Sequence, residues 1–150
     1  MTLEDVNKIM LRYVQNWNKS NPMAPLYLMA TKKRGFHFGY GGHLIFVRTD
    51  DIAPENVLAA FFHAYGQAEY ERDHSGPINE FEAEAFAIRR SLELFVAEDF
   101  EDLAYRVAAN IKALAANEPY RSAVERLAND DLWRKYARLD NDAAFRAAKA

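Results

Sequence analysis

Three short runs with β-strand character lie between residues 26 and 49, and they limit the folds open to this chain. Residues 26–31 are apolar, residues 36–40 alternate aromatic with small or polar side chains, and residues 43–49 are rich in β-formers. Gly35 and the following pair Gly41-Gly42 indicate turns between the runs. Because consecutive strands joined by short turns pair as hairpins, the sequence predicts a three-stranded antiparallel sheet.

Helical periodicity surrounds these runs. Residues 2–20 carry apolar side chains at three- and four-residue spacing, start with Thr2 and Asp5 in an arrangement related to a capping box, and end before Pro22. The pattern predicts further helices at residues 54–70, 78–95, 101–116, 120–128, 131–137 and 143–149. The predicted fold class is therefore α+β: an N-terminal helix, a three-stranded antiparallel sheet and then a helical majority.

Length and composition predict a single globular domain over residues 1–150. Half of the chain is hydrophobic, and a chain of this length buries roughly 70% of its unfolded surface. There is no cysteine, so any zinc would need His, Asp or Glu ligands. The net charge of −3 gives no general attraction to nucleic acid. With neither a signal-peptide pattern nor a membrane-length apolar run, we expect a cytoplasmic protein without a membrane partner.

The segment His63-Ala64-Tyr65-Gly66-Gln67 has the length and the helical setting of a zinc-protease motif. Such a motif places two His four residues apart, so that both imidazoles lie on one helix face, and a Glu after the first His acts as general base. Here Ala64 stands at the Glu position and Gln67 at the position of the second His. Ala64 cannot accept a proton, and Gln67 is a poor zinc ligand.

An acidic segment at the start of the next predicted helix supplies the remaining candidate ligands. A carboxylate from a later helix often closes a zinc site of this kind, and the segment carries Glu80, Glu82 and Glu84. His74, in the intervening loop, could replace the missing ligand. Each residue also has a plainer explanation. Glu82 suits a helix N-terminus, His74 suits a solvated loop, and His63 suits a hydrogen-bonded interior position.

The order of these segments, over residues 1–95, resembles that of the ImmA/IrrE-type zincin metallopeptidases. His63 and Gly66 match the family's His-helix. The second helix matches its Glu-helix signature in the pattern Glu80-x-Glu82-Ala83-x-x-Phe86-Ala87. The resemblance implies a zincin-like fold with Glu82 as third ligand, followed by a C-terminal helical part over residues 96–150.

The departures at Ala64 and Gln67 imply that such a relative has lost peptidase activity and binds no cofactor. ImmA/IrrE-type proteins recognise and cleave repressor proteins, often in mobile elements. A pseudoenzyme of this type would keep a protein-binding surface and could serve a regulatory or phage-related role.

Two other regions carry candidate binding residues. Basic residues 32–34 with the aromatic side chains of residues 36–40 could bind nucleic acid, or could form a charged turn that protects a hairpin. In the C-terminal third, Trp133 and Tyr136 form an apolar stripe beside Arg134. This stripe could face a protein partner or could dock on the core of the domain.

The sequence leads us to expect a non-catalytic, zincin-like protein that acts by protein–protein binding. Two alternatives stay open. One is a metal-dependent hydrolase with an altered site built from His63, Glu82 and His74, which would require zinc. The other is a plain helical interaction module in which the motif matches arise by chance.

Overall fold

The computed structural model describes residues 1–31, 38–41 and 44–139, which form six helices and three strands. The helices are α1 (Leu3–Ser20), α2 (Pro54–Asp73), α3 (Glu80–Ala97), α4 (Glu101–Leu114), α5 (Tyr120–Arg126) and α6 (Asp131–Tyr136). The strands are β1 (Tyr27–Thr31), β2 (Phe38–Gly41) and β3 (Leu44–Arg48). The predicted helix at residues 143–149 and the predicted turns at Gly35 and Gly42 lie outside the described residues.

The chain divides into two compact units, Met1–Arg72 and Asp73–Ala150, which we call the first unit and the second unit. The boundary lies at the end of α2, whereas the sequence placed the zincin-like part at residues 1–95. The single domain over residues 1–150 stays a prediction.

The start and the end of α1 follow from local chemistry, as predicted. The Thr2 hydroxyl accepts a hydrogen bond from the Asp5 backbone N–H, and the Asp5 carboxylate accepts one from the Thr2 backbone N–H, which completes a capping box. Beyond the helix, the side-chain amide of Asn18 donates to the Leu26 carbonyl at 3.1 Å and accepts from the Leu26 N–H at 2.6 Å. Asn18 therefore ties the segment that enters β1 to the end of α1.

The sheet is mixed, and the predicted antiparallel meander is wrong. The strand order is β1-β3-β2, with β3 parallel to β1 and antiparallel to β2. Residues 44–47 of β3 are apolar without interruption, which is typical of a strand with a neighbour on each side. The fold class is thus corrected to a mostly helical chain with one small mixed sheet in its first unit.

An aromatic cluster joins α1 to α2 within the first unit. The Tyr13 ring lies 5.4 Å from the rings of both Phe62 and Tyr65, in edge-to-face geometry. The Trp17 ring lies 5.7 Å from that of Tyr65, and its indole N–H donates to the Ala24 carbonyl at 2.9 Å. Such aromatic pairs contribute about 0.5–1.5 kcal/mol each beyond the apolar area that they bury.

The second unit is built around α3, which packs against α4, α5 and α6. Asn79 caps α3, because its side-chain oxygen accepts from the backbone N–H groups of Phe81 and Glu82. The apolar face of α3 is buried at Ile88, Leu92 and Phe95, which recur at helical spacing.

Polar clamps hold α6 against α3 and α4. Asp130 caps α6 by accepting from the Trp133 backbone N–H, and its other oxygen accepts from the Arg89 guanidinium of α3 at 2.7 Å. The Tyr136 hydroxyl donates to the Glu101 carboxylate of α4 at 2.9 Å. The ends of α6 are therefore fixed to two different helices.

Candidate functional site

The motif positions of α2 lie on a helix that is buried on most of its sides. His63 and Gln67 are half-buried, one helical turn apart on the same face. Ala64 is buried with 1% of its surface exposed, and Gly66 beside it is buried as well. Neither the methyl group of Ala64 nor the neutral amide of Gln67 can act as a base toward a metal-bound water.

The two other predicted ligands are exposed. His74 follows α2, and Glu82 lies in the first turn of α3, where Asn79 caps its backbone N–H. His63 belongs to the first unit, and His74 and Glu82 belong to the second. Across residues 1–31, 38–41 and 44–139, no group of three or more His, Asp or Glu side chains could hold a metal ion. The metal site and its zinc stay a prediction.

A buried acid in α3 escaped the sequence analysis. Glu84 is 7% exposed, although it looked like an ordinary residue of an acidic helix start. It belongs to the second unit together with Tyr120. Burial raises the pKa of the Tyr120 hydroxyl, and the charge of Glu84 raises it further. The sequence analysis missed this burial because acidic side chains are seldom buried, although Glu84 stands four residues before the buried Ile88 on the same side of α3.

The predicted partner surface at Trp133, Arg134 and Tyr136 is not an exposed surface. Trp133 and Tyr136 are buried in the second unit, with exposures of 0% and 2%, and Arg134 is half-buried. Its guanidinium donates to the Ala128 carbonyl at 2.8 Å. The apolar stripe therefore docks on the core, which was the other outcome that the sequence left open. The Trp133 indole N–H has no hydrogen-bond partner within the described part of the chain.

The predicted nucleic-acid residues, basic residues 32–34 and the aromatic side chains of residues 36–40, lie outside the side chains that the structure describes. The structure therefore tests neither the nucleic-acid alternative nor the charged turn, and nucleic acid stays an unexpected partner for a chain of net charge −3.

The structure instead shows an apolar face on the mixed sheet that sequence reasoning missed. Tyr27 and Met29 of β1 are 57% and 48% exposed. In the register of the sheet they pair with Leu44 and Phe46 of β3, which are half-buried. Because paired residues and residues two apart share one face of a sheet, these four side chains lie together. We call them the outer face.

The opposite side of the same strands explains why the outer face could not be read from the sequence. Leu28 pairs with Ile45, which is fully buried, and Val47 is buried two residues further along β3. Both sides of β1 and β3 are thus apolar in sequence, so alternation could not tell the buried side from the exposed one. The missed signal was the lack of any charged residue in β1.

Comparison with protein-family models found no match for this chain, and comparisons with curated proteins and with solved structures likewise found none. The resemblance to ImmA/IrrE-type zincins therefore stays an interpretation of a few motif positions. In the described part of the chain, none of the helices combines the length and the apolar character that crossing a membrane requires.

Proposed function

We propose that this protein acts without catalysis, by binding another protein through the outer face. The observation that carries the proposal is the exposure of Tyr27 and Met29 beside Leu44 and Phe46 on one sheet surface. Tyr and Met are enriched where proteins bind each other, and here they stand two residues apart on one strand. Exposed apolar side chains that lie singly carry no such meaning.

The residues at the degenerate motif support a role without catalysis. Ala64 supplies no general base, and Gln67 supplies no imidazole. The proposed binding needs no cofactor. The absence of cysteine suits the reducing cytoplasm, which is where we propose that the binding takes place.

The test compares partner recovery by the tagged wild type and two double variants in extracts of the cells that make the protein. The first variant, Tyr27→Ser with Met29→Ser, removes the exposed part of the outer face. The control, Leu11→Ser with Leu114→Ser, removes two apolar side chains of similar exposure, 49% and 48%, from helices. Exposed substitutions of this kind change stability by about 0.5 kcal/mol or less each.

We expect one protein or a small set of proteins to be recovered with the wild type and with the control, and to be lost with the Tyr27 and Met29 variant. Recovery of the same proteins with both variants, or of none with the wild type, would contradict the proposal. Circular dichroism of each variant checks that the helices are kept.

A further inference from the structure

We infer that the partner presents an extended segment, which adds to β1 as a fourth strand of the mixed sheet. This inference rests on the proposed function and names the kind of partner that the outer face takes. Strand addition uses the backbone groups of an edge strand for affinity and the side chains of alternate residues for specificity.

The strand order leaves one edge of β1 open to pairing. β1 stands at the end of the order β1-β3-β2, and in the described residues no strand pairs with its other edge. Tyr27–Thr31 pairs with Leu44–Arg48 residue by residue, so no bulge interrupts β1.

The composition of β1 gives this edge none of the usual protection against pairing. Natural proteins guard an edge strand with Lys or other charged side chains, with Pro or with a bulge. Residues 27–31 contain no charged residue and no Pro. An edge strand of this composition, with regular pairing on its inner side, is suited to accept another strand.

The size of the exposed apolar area favours a strand over a folded partner or a second copy of the chain. A side chain as large as Tyr covers at most about 250 Å², so the exposed parts of Tyr27 and Met29 amount to less than about 300 Å². A stable interface between folded proteins covers about 800 Å² on each partner, of which about 450 Å² is apolar. Backbone hydrogen bonds along β1 would give an added strand the affinity that the small apolar area cannot provide.

The outer face also sets the side-chain pattern of the added strand. Tyr27 and Met29 stand two residues apart on one face, so their cross-strand neighbours must also stand two residues apart. The segment that binds should therefore carry apolar or aromatic residues at alternate positions over about five residues, the length of a common strand.

The test is a selection of random peptides of about ten residues, long enough for one strand, against the full-length protein. Met29→Lys places a charge on the outer face at β1 and serves for counter-selection. Leu11→Lys is the matched control, because Leu11 is 49% exposed on α1, against 48% for Met29 on β1. Tyr27→Lys repeats the test on the same face if Met29→Lys does not fold.

We expect enriched peptides with apolar residues at alternate positions. They should bind the wild type and Leu11→Lys equally, and bind Met29→Lys at least about 10-fold more weakly. Bound peptide should also slow amide hydrogen exchange within residues 27–31, because an added strand protects the open edge.

Three results would overturn the inference. One is that no peptide depending on Met29 is enriched. Another is enrichment of peptides with helical spacing that depend on Met29, which would keep the outer face as a binding site and remove the strand. The third is a dimer of the wild type in sedimentation that Met29→Lys dissociates, because a second copy would then occupy the edge. The proposed function is judged separately, by partner recovery with the Ser variants.

Discussion

The first unit and the second unit are stabilised in different ways. In the first, aromatic rings join α1 to α2, and the side-chain amide of Asn18 ties the segment that enters β1 to α1. One face of its sheet keeps large apolar side chains exposed. In the second, α3 receives the apolar sides of three helices, and ion pairs such as Arg89–Asp130 fix their ends. A helical unit of this kind can bury its apolar surfaces on itself, whereas the small sheet retains an exposed apolar face, which is where we propose that a partner binds.

The largest expected effect is a loss of stability in the second unit on substitution of Trp133. This is the largest fully buried side chain of the structure as described. Trp133→Ala should lower the free energy of unfolding by about 3–5 kcal/mol, because it opens a cavity in the second unit. Urea unfolding followed by circular dichroism measures this loss.

Trp133→Phe is the matched control. It keeps most of the apolar volume and removes an indole N–H that has no partner among the described groups. We expect it to cost less than about 2 kcal/mol, because the loss of the unsatisfied donor offsets part of the lost packing. Equal losses for the two variants would contradict the packing that we describe around α6.

The next effect tests the first unit at Asn18. Asn18→Ala removes both hydrogen bonds to Leu26, whose side chain is 1% exposed, and should cost about 1–3 kcal/mol. Asn16→Ala, at an exposed position of α1, should change stability by about 0.5 kcal/mol or less.

The two tryptophans of the chain make the readout specific to each unit, because Trp17 lies in the first and Trp133 in the second. We expect Asn18→Ala to shift the fluorescence transition of Trp17, measured in a Trp133→Phe background. An equal shift for Asn16→Ala would contradict the conclusion that the side-chain amide of Asn18 stabilises the first unit.

A smaller effect is expected at the end of α3. Phe100 N–H bonds to the Phe95 carbonyl and Asp99 N–H to the Val96 carbonyl, which is the Schellman arrangement, with Asp99 at a φ of 65°. Glycine adopts this conformation without steric cost, so Asp99→Gly should raise the free energy of unfolding by up to about 1 kcal/mol. Asp99→Val should lower it by about 1 kcal/mol. Urea midpoints of the two variants should therefore move in opposite directions.

The smallest effect is a pH dependence within the second unit. The hydrogen bond from the Tyr136 hydroxyl, and then that from Lys135, hold the pKa of Glu101 below its ordinary value of 4.5. Because the pKa is lowered in the folded state, the carboxylate adds stability above pH 4.5, and that stability is lost as the pH falls through the lowered pKa.

Glu101→Gln should therefore reduce stability at pH 7 and show less difference from the wild type near pH 3. Urea midpoints at the two pH values measure this change. Asp102→Asn, at the exposed neighbouring position, is the control, and we expect a smaller difference from it. If the difference in urea midpoint between Glu101→Gln and the wild type is larger near pH 3 than at pH 7, the prediction from the Tyr136 contact is wrong.

Local chemistry made much of the helical structure predictable. Thr2 with Asp5 marked the start of α1, and Pro22 marked where it could not continue. The apolar spacing over residues 78–95 predicted the helix observed as α3. These signals act between residues a few positions apart, so a sequence displays them directly.

The candidate site was hardly predictable. The sequence analysis named His63 and Trp133 as candidate site residues. In the structure the exposed apolar side chains of the sheet are instead Tyr27 and Met29. A side chain is exposed or buried according to which element covers it, and that depends on contacts between residues far apart in the chain.

The sequence by itself thus determined approximately where the six described helices and three described strands lie, and that Ala64 and Gln67 cannot perform zinc-peptidase chemistry. Only the tertiary structure decided that β3 lies between β1 and β2, that β1 stands at an edge of the sheet within the described residues, and that Trp133 is buried. The reason is physical: propensities and caps depend on neighbouring residues, but strand order depends on which apolar surfaces gain most by packing together.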